Sequence, residues 1–172
     1  MSEYAGENQT GYTQRATEGS VTVNRQTTGN VGLYYCCYKL SQLGWNVMPT
    51  ARNARGMDII AYTADARRFI GLQVKSLSKR NPVPLGTSLD NLMGNFWVIV
   101  NKVYSDTPSA FILIPSEVKT LAVPTKSTPI QYFLQPPSYD QEQFEEKWER
   151  IGHGGLDILP DVQASAIGGP VR

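Results

Sequence analysis

The stretch GMDIIAYTADARRFIGLQVKS, residues 56–76, contains two apolar runs separated by a polar segment. The runs, residues 57–62 and 69–74, are rich in the β-branched, aromatic and aliphatic residues that favour a pleated, half-buried strand. If the turn is centred between Asp65 and Ala66, antiparallel pairing places Asp58 opposite Gln73, because both lie equally far from that centre. The stretch therefore predicts a β-hairpin.

Alternation of side chains along the hairpin predicts a polar cluster on one face. Gln73 and Lys75 share a face of the second strand, while Leu72 and Val74 point the opposite way, into a core. Asp58 then joins Gln73 and Lys75. A carboxylate, an amide oxygen and an ammonium group close together suit a hard cation and an activated water. A strand-edge salt bridge between Asp58 and Lys75 is an equally good interpretation of the same residues.

The composition is that of one soluble globular domain of 172 residues. No apolar run approaches the roughly 20 residues of a membrane helix, and the first residues lack an apolar signal segment, so a cytoplasmic protein without a membrane partner is expected. Cys36 and Cys37 are adjacent, which fits neither a disulfide framework nor a zinc site, and His153 is the only histidine. Zinc and cysteine-protease chemistry are therefore not expected.

The net charge of +1 is unevenly distributed. Seven basic and two acidic residues lie within residues 52–80, which leaves a net charge of −4 for the rest of the chain. Such a basic region favours a polyanionic partner, since arginine and lysine contacts to phosphate supply most non-specific nucleic-acid affinity. A solvated charged surface is the alternative.

The order of predicted elements indicates one α/β domain with a central mixed sheet flanked by helices. Residues 1–27 read as a polar arm with a hint of a strand at SVTV, residues 28–152 as the core, and residues 153–172 as a tail. Within the core we expect a helix over NVGLYYCCYKLSQLGW and strands at WNVMP, NFWVIVNKV and SAFILIP. Residues 78–91, SKRNPVPLGTSLDN, are expected to form a long loop, and PSEVKTLA to begin a helix. A second helix, SYDQEQFEEKWERI, is expected to pack Phe144, Trp148 and Ile151 on the sheet.

Three of these motifs, in this order, resemble the PD-(D/E)XK, or restriction-endonuclease-like, nuclease superfamily. They are GNVGLYYCCYKLSQLGWNV, RGMDIIAY and LQVKS, and the resemblance covers residues 29–76. It is closest to small members such as archaeal Holliday-junction resolvases and intron-type endonucleases. These relatives carry a glutamate on the helix, whereas Leu33 falls at that position here.

The resemblance implies a restriction-endonuclease-like core and a role for each matching residue. Asp58 and Gln73 correspond to the metal ligands for Mg²⁺ or Mn²⁺, and Lys75 to the lysine that orients the attacking water. DNA is the implied partner, and a homodimer is a further possibility. The basic residues expected to contact its phosphates are Arg52, Arg55, Lys79 and Arg80.

Two functions compete as interpretations of these residues, with a third behind them. The first is a metal-dependent DNA endonuclease whose site is weakened because Leu33 supplies no ligand. The second is a nucleic-acid-binding or assembly module that retains the fold without the chemistry. The third is an unrelated α/β domain in which Asp58 and Lys75 are only structural.

Overall fold

The structure is a computed structural model that describes residues 24–50 and 56–155. Three parts of the sequence-based predictions lie outside this range. They are the N-terminal arm up to residue 23 with its SVTV segment, the basic residues Arg52 and Arg55, and residues 156–172 of the tail. Within it, no helix is long and apolar enough to cross a membrane. The chain forms an α/β fold with a mixed five-stranded sheet, a smaller second sheet and few helices.

The first half of the fold matches the predicted helix, strand and hairpin. Helix α1, Arg25–Gln42, begins earlier than expected because the Asn24 side chain accepts the backbone N–H of Gln26 at 2.9 Å and so caps its N-terminus. The next three elements are the strands β1, Asn46–Pro49, β2, Ile59–Tyr62, and β3, Phe69–Ser76.

The second half is more irregular. It contains the strands β4, Val83–Gly86, β5, Phe96–Asn101, β6, Ser109–Leu113, β7, Ala122–Pro124, and β8, Tyr132–Leu134. Its helical segments are α2, Pro115–Leu121, α3, Pro136–Tyr139, and a 3₁₀ turn at Trp148–Arg150. The strands predicted at NFWVIVNKV and SAFILIP and the helix at PSEVKTLA are confirmed.

The central sheet has the order β1-β2-β3-β5-β6. The pairs β1–β2, β2–β3 and β5–β6 are antiparallel, whereas β3 and β5 are parallel neighbours, so the chain between them must cross from one end of the sheet to the other. A second antiparallel sheet has the order β4-β8-β7.

Each face of the central sheet has its own core. The first core, against α1, contains Leu72 and Val74, as predicted from their alternation with Gln73 and Lys75. The second core lies on the opposite face, where Trp97, Ile99 and Phe111 pack beneath the second sheet and α2. The polar cluster of the hairpin therefore lies on the second face.

Two predicted elements are wrong. Residues 78–91 are not a continuous loop, because they include β4, whose Val83 is buried in the second core. The helix predicted over SYDQEQFEEKWERI does not form. Its segment instead crosses the edge of the sheet, where Ile112 donates its backbone N–H to the Phe144 carbonyl at 2.9 Å. Phe144 consequently enters the second core, and Trp148 and Ile151 enter the first.

Candidate functional site

The hairpin register brings Asp58 and Gln73 together. Ile59 pairs with Leu72 and Tyr62 with Phe69, so the same register places Asp58 opposite Gln73. The Gln73 side-chain amide donates a hydrogen bond to Oδ2 of Asp58. The predicted cross-strand proximity is therefore observed.

The same carboxylate also ends the pairing between β2 and β3. Asp58 donates its backbone N–H to the Leu72 carbonyl at 2.8 Å, and its Oδ2 accepts the backbone N–H of Val74 at 2.7 Å. The side chain thus replaces the strand carbonyl that would otherwise accept the Val74 N–H. Asp58 has a structural role in the sheet whatever else it does.

Lys75 lies further along the same face, at the end of β3. Its Nζ is 5.3 Å from the centre of the Trp97 ring, an arrangement suited to a cation–π contact. Among the described residues it forms no ion pair with Asp58, so the predicted salt bridge is not observed. Burial lowers the pKa of Lys75, and the nearby Asp58 charge only partly opposes that effect.

A cleft of about 500 Å³ opens beside Lys75. Helix α1 contributes Arg25 and Thr28 to its wall, and no carboxylate occurs among the described residues that line it. The cleft combines two cations with hydroxyl and amide groups. Its full lining is Arg25, Thr28, Lys75, Ser76, Leu77, Ser78, Asn81, Val83 and Pro84.

Gly32 lets α1 approach this end of β3. The Ser76 hydroxyl donates to the Gly29 carbonyl at 3.2 Å. A Cβ on Gly32 would lie 2.1 Å from Oγ of Ser76, so a larger residue would force the helix away. Arg25 and Thr28 reach the cleft because of this close approach. Neither was predicted as a site residue, although a helix start at Asn24 would have placed both on its first turn.

The four basic residues predicted to contact phosphate differ in their surroundings. Arg80 forms an ion pair with Asp140, which neutralises part of its charge. Lys79 is exposed in the loop after β3, whereas Arg52 and Arg55 lie outside the described residues. The structure describes two of the four predicted basic residues, Lys79 and Arg80. Of these two, Lys79 forms no ion pair with a carboxylate of the described residues.

A preformed metal site is not supported by the donor set. Asp58 is the one carboxylate of the cluster, and its Oδ2 already accepts hydrogen bonds from Gln73 and Val74. Within residues 24–50 and 56–155, no group of three or more His, Cys, Asp and Glu side chains is placed to hold an ion. One carboxylate and one amide oxygen bind Mg²⁺ more weakly than two carboxylates do, because a hard divalent cation needs negative oxygen ligands to offset its dehydration.

The helix position predicted to match the glutamate of the PD-(D/E)XK superfamily also lacks a ligand. Leu33 is half-buried and packs against the first core. Cys36, one turn further along α1, has a pKa raised by burial and, to a smaller extent, by the charges of Cys37, Glu146 and Asp58.

Comparisons with known proteins find no relative. No protein-family model matches the chain, and neither curated proteins nor solved structures give a match. The function is therefore inferred from the residues and the geometry of the cleft.

Proposed function

We propose that this protein binds nucleic acid through a restriction-endonuclease-like core, with a backbone phosphate of DNA held in the cleft beside Lys75. The observation that carries the proposal is the chemistry of the cleft. Arg25 and Lys75 supply positive charge, the neighbouring hydroxyl and amide groups supply hydrogen-bond donors, and no described lining residue carries a negative charge. This combination suits a phosphate group.

The environment of Lys75 adds a thermodynamic argument. A half-buried ammonium group loses hydration, and its lowered pKa reflects that cost. No carboxylate among the described residues forms an ion pair with it. An entering phosphate would offset the cost, so the cleft is better matched to an anionic ligand than to solvent.

The arrangement of motifs supports the assignment of the core. The segments that resemble the PD-(D/E)XK superfamily form α1, β1, β2 and β3 in the expected order. They pack around one site, because α1 contacts the end of β3 through Gly32 and Ser76 while β2 pairs with β3. Binding without metal-dependent hydrolysis is the function favoured by the donor set.

A metal-dependent DNA endonuclease is the second candidate. Its supporting observation is that Asp58, Gln73 and Lys75 share one face, with the pKa of Lys75 lowered by burial. A lysine with a lowered pKa is a better proton acceptor near neutral pH than an exposed one. Incubation of supercoiled DNA with Mg²⁺ or Mn²⁺ tests this candidate. Nicking that disappears in Lys75→Ala, and in Asp58→Ala under conditions where that variant remains folded, would establish it over binding alone.

The binding proposal is tested by fluorescence anisotropy with a labelled DNA duplex, in buffer containing a chelator so that no cleavage occurs. We expect Arg25→Ala to weaken binding and to reduce the slope of log K against log salt by about 0.9 for each phosphate that is no longer neutralised. Lys126→Ala, an exposed lysine outside the cleft lining, is the matched control. Salt-independent binding, or equal effects of the two variants, would contradict the proposal.

A further inference from the structure

The second face of the central sheet is covered over only part of its width. Where β5 and β6 form that face, Trp97, Ile99 and Phe111 are buried beneath the second sheet and α2. Where β1 to β3 form it, Met48 and Phe69 are 44% and 57% exposed. Apolar side chains of this size on an open sheet face indicate a contact surface.

Strand register places the exposed residues on the same face of the sheet as the Lys75 side chain, which lines one side of the cleft. Tyr62 pairs with Phe69, and Met48 pairs with Ile60. Because residues two apart share a face, Phe69 lies on the same side of β3 as Gln73 and Lys75. We name Met48, Ile60, Tyr62 and Phe69 the aromatic surface.

The centre of the aromatic surface is a pair of stacked rings. The rings of Tyr62 and Phe69 have centroids 5.5 Å apart and an interplanar angle of 22°. Such a cross-strand pair stabilises the hairpin. It also leaves more than half of Phe69 open to solvent, so the ring remains free to stack with another flat group.

The aromatic surface and the cleft lie at opposite ends of β3. Phe69 and Lys75 are six positions apart, a distance of about 20 Å along a strand. One end offers cations for a phosphate backbone, and the other offers an exposed ring for a base. This pairing of a charged groove with aromatic rings is the pattern by which proteins hold single strands.

We propose that the aromatic surface stacks unpaired bases of the nucleic acid whose phosphate occupies the cleft. This inference rests on the proposed function and adds a ligand class to it: nucleic acid with a single-stranded segment. In a duplex the bases already stack on one another, so their faces are not available to Phe69 without unstacking.

The test compares a single-stranded thymidine oligonucleotide of roughly 16 nucleotides, the upper end of common single-strand site sizes, with a duplex of the same length. We expect Phe69→Ala to weaken binding of the single strand about tenfold to a hundredfold. Duplex affinity and the salt slope should not change, because no charge is removed. Tyr34→Ala removes a 63% exposed ring from α1 and is the matched control.

Two further variants make the test independent of folding effects. Phe69→Leu keeps an apolar side chain beside Tyr62 but removes the aromatic face. It should therefore weaken binding of the single-stranded oligonucleotide as Phe69→Ala does, while the melting temperature of the protein stays near the parent value. Phe69→Trp should retain binding, and the added exposed indole should be quenched by the oligonucleotide. The three native tryptophans are no more than 7% exposed, and titration of the parent protein corrects for their response.

The outcomes separate this inference from the proposed function. If Arg25→Ala weakens duplex binding but Phe69→Ala leaves single-strand binding intact, the stacking role is wrong and the cleft proposal stands. If the parent binds neither the duplex nor the single strand, the cleft proposal and the stacking proposal are both wrong. If sedimentation shows a dimer that Phe69→Ala converts to a monomer, the aromatic surface is a self-interface and the stacking proposal is overturned.

Discussion

The Asp58 carboxylate accepts the backbone N–H of Val74 at 2.7 Å, across the point where β2 and β3 stop pairing. The same oxygen accepts the amide of Gln73. One carboxylate therefore closes the end of a strand ladder and also forms the polar cluster of the candidate site. Loss of activity after mutation of Asp58 must be separated from loss of stability.

Asp58→Ala should lower the free energy of unfolding by about 1–3 kcal/mol, because it leaves the Val74 N–H and the Gln73 amide without an acceptor. Asp58→Asn retains a side-chain oxygen that can accept one of these bonds, so we expect a smaller loss. Urea denaturation of both variants measures the difference. Equal stability of Asp58→Ala and the parent would show that the hydrogen bonds accepted by the Asp58 carboxylate do not stabilise the fold.

Lys75→Met should stabilise the protein most at neutral pH. Burial lowers the pKa of Lys75 in the folded state below its ordinary value of 10.5, so the unfolded chain binds more protons between those two values. Stability of the parent should therefore rise with pH across that interval. The difference in free energy of unfolding between Lys75→Met and the parent should therefore become smaller as the pH rises.

The measurement is the free energy of unfolding of parent and variant at several pH values from about 7 to about 10.5. Lys79→Met removes the same charge from an exposed position in the next loop and corrects for the general effect of charge. A difference between Lys75→Met and the parent that stays constant with pH would contradict the desolvation of Lys75.

Leu33→Glu should create a dependence of stability on divalent ions. Leu33 packs against the first core, so an unpaired carboxylate there should cost about 1–3 kcal/mol without metal. If the carboxylate reaches the Asp58 cluster, it adds a second negative ligand. Mn²⁺ at about 100 times its dissociation constant would then stabilise the variant by about 2.7 kcal/mol.

Tyr34→Glu is the control for that experiment, since it introduces the same charge one residue away at a position 63% exposed on α1. Thermal melts with and without Mn²⁺ should show a larger shift for Leu33→Glu than for Tyr34→Glu or the parent. Identical shifts in the three proteins would mean that Leu33 does not face Asp58 and that the helix alignment with the superfamily is wrong.

Asp140→Asn should strengthen DNA binding. Asp140 pairs with Arg80, whose side chain is 47% exposed, so removing the acid frees a cation near Asn81 and the cleft. A gain of about twofold to fivefold at low salt corresponds to a partly exposed ion pair. Glu149→Gln removes one negative charge from an exposed position and serves as the control. An equal gain in the control would show only a net-charge effect.

The hairpin was predictable from sequence because its information is local. Two apolar runs and a polar turn determine the register, and a register with Asp58 opposite Gln73 assigns every side chain to a face. The burial of Leu72 and Val74 behind Gln73 and Lys75 follows directly. The strands β5 and β6 were predictable for the same reason, as continuous apolar runs bounded by turns.

The C-terminal segment was not predictable because its pattern is ambiguous. Phe144, Trp148 and Ile151 have helical spacing, but spacing cannot show that the residues belong to different cores. In the fold, backbone bonds to β6 hold the segment across the sheet edge, so Phe144 lies on one face and Trp148 on the other. A long-range contact outweighed the local preference for helix.

The sequence by itself determined the hairpin, its register and the shared face of Asp58, Gln73 and Lys75, because alternation along paired strands needs no information from elsewhere in the chain. Only the tertiary structure brought Arg25 and Thr28 to Lys75, paired Arg80 with Asp140, and left Phe69 exposed beside Tyr62. These contacts join residues distant in sequence or depend on which sheet face remains uncovered. They follow from the packing of whole elements, which no local pattern encodes.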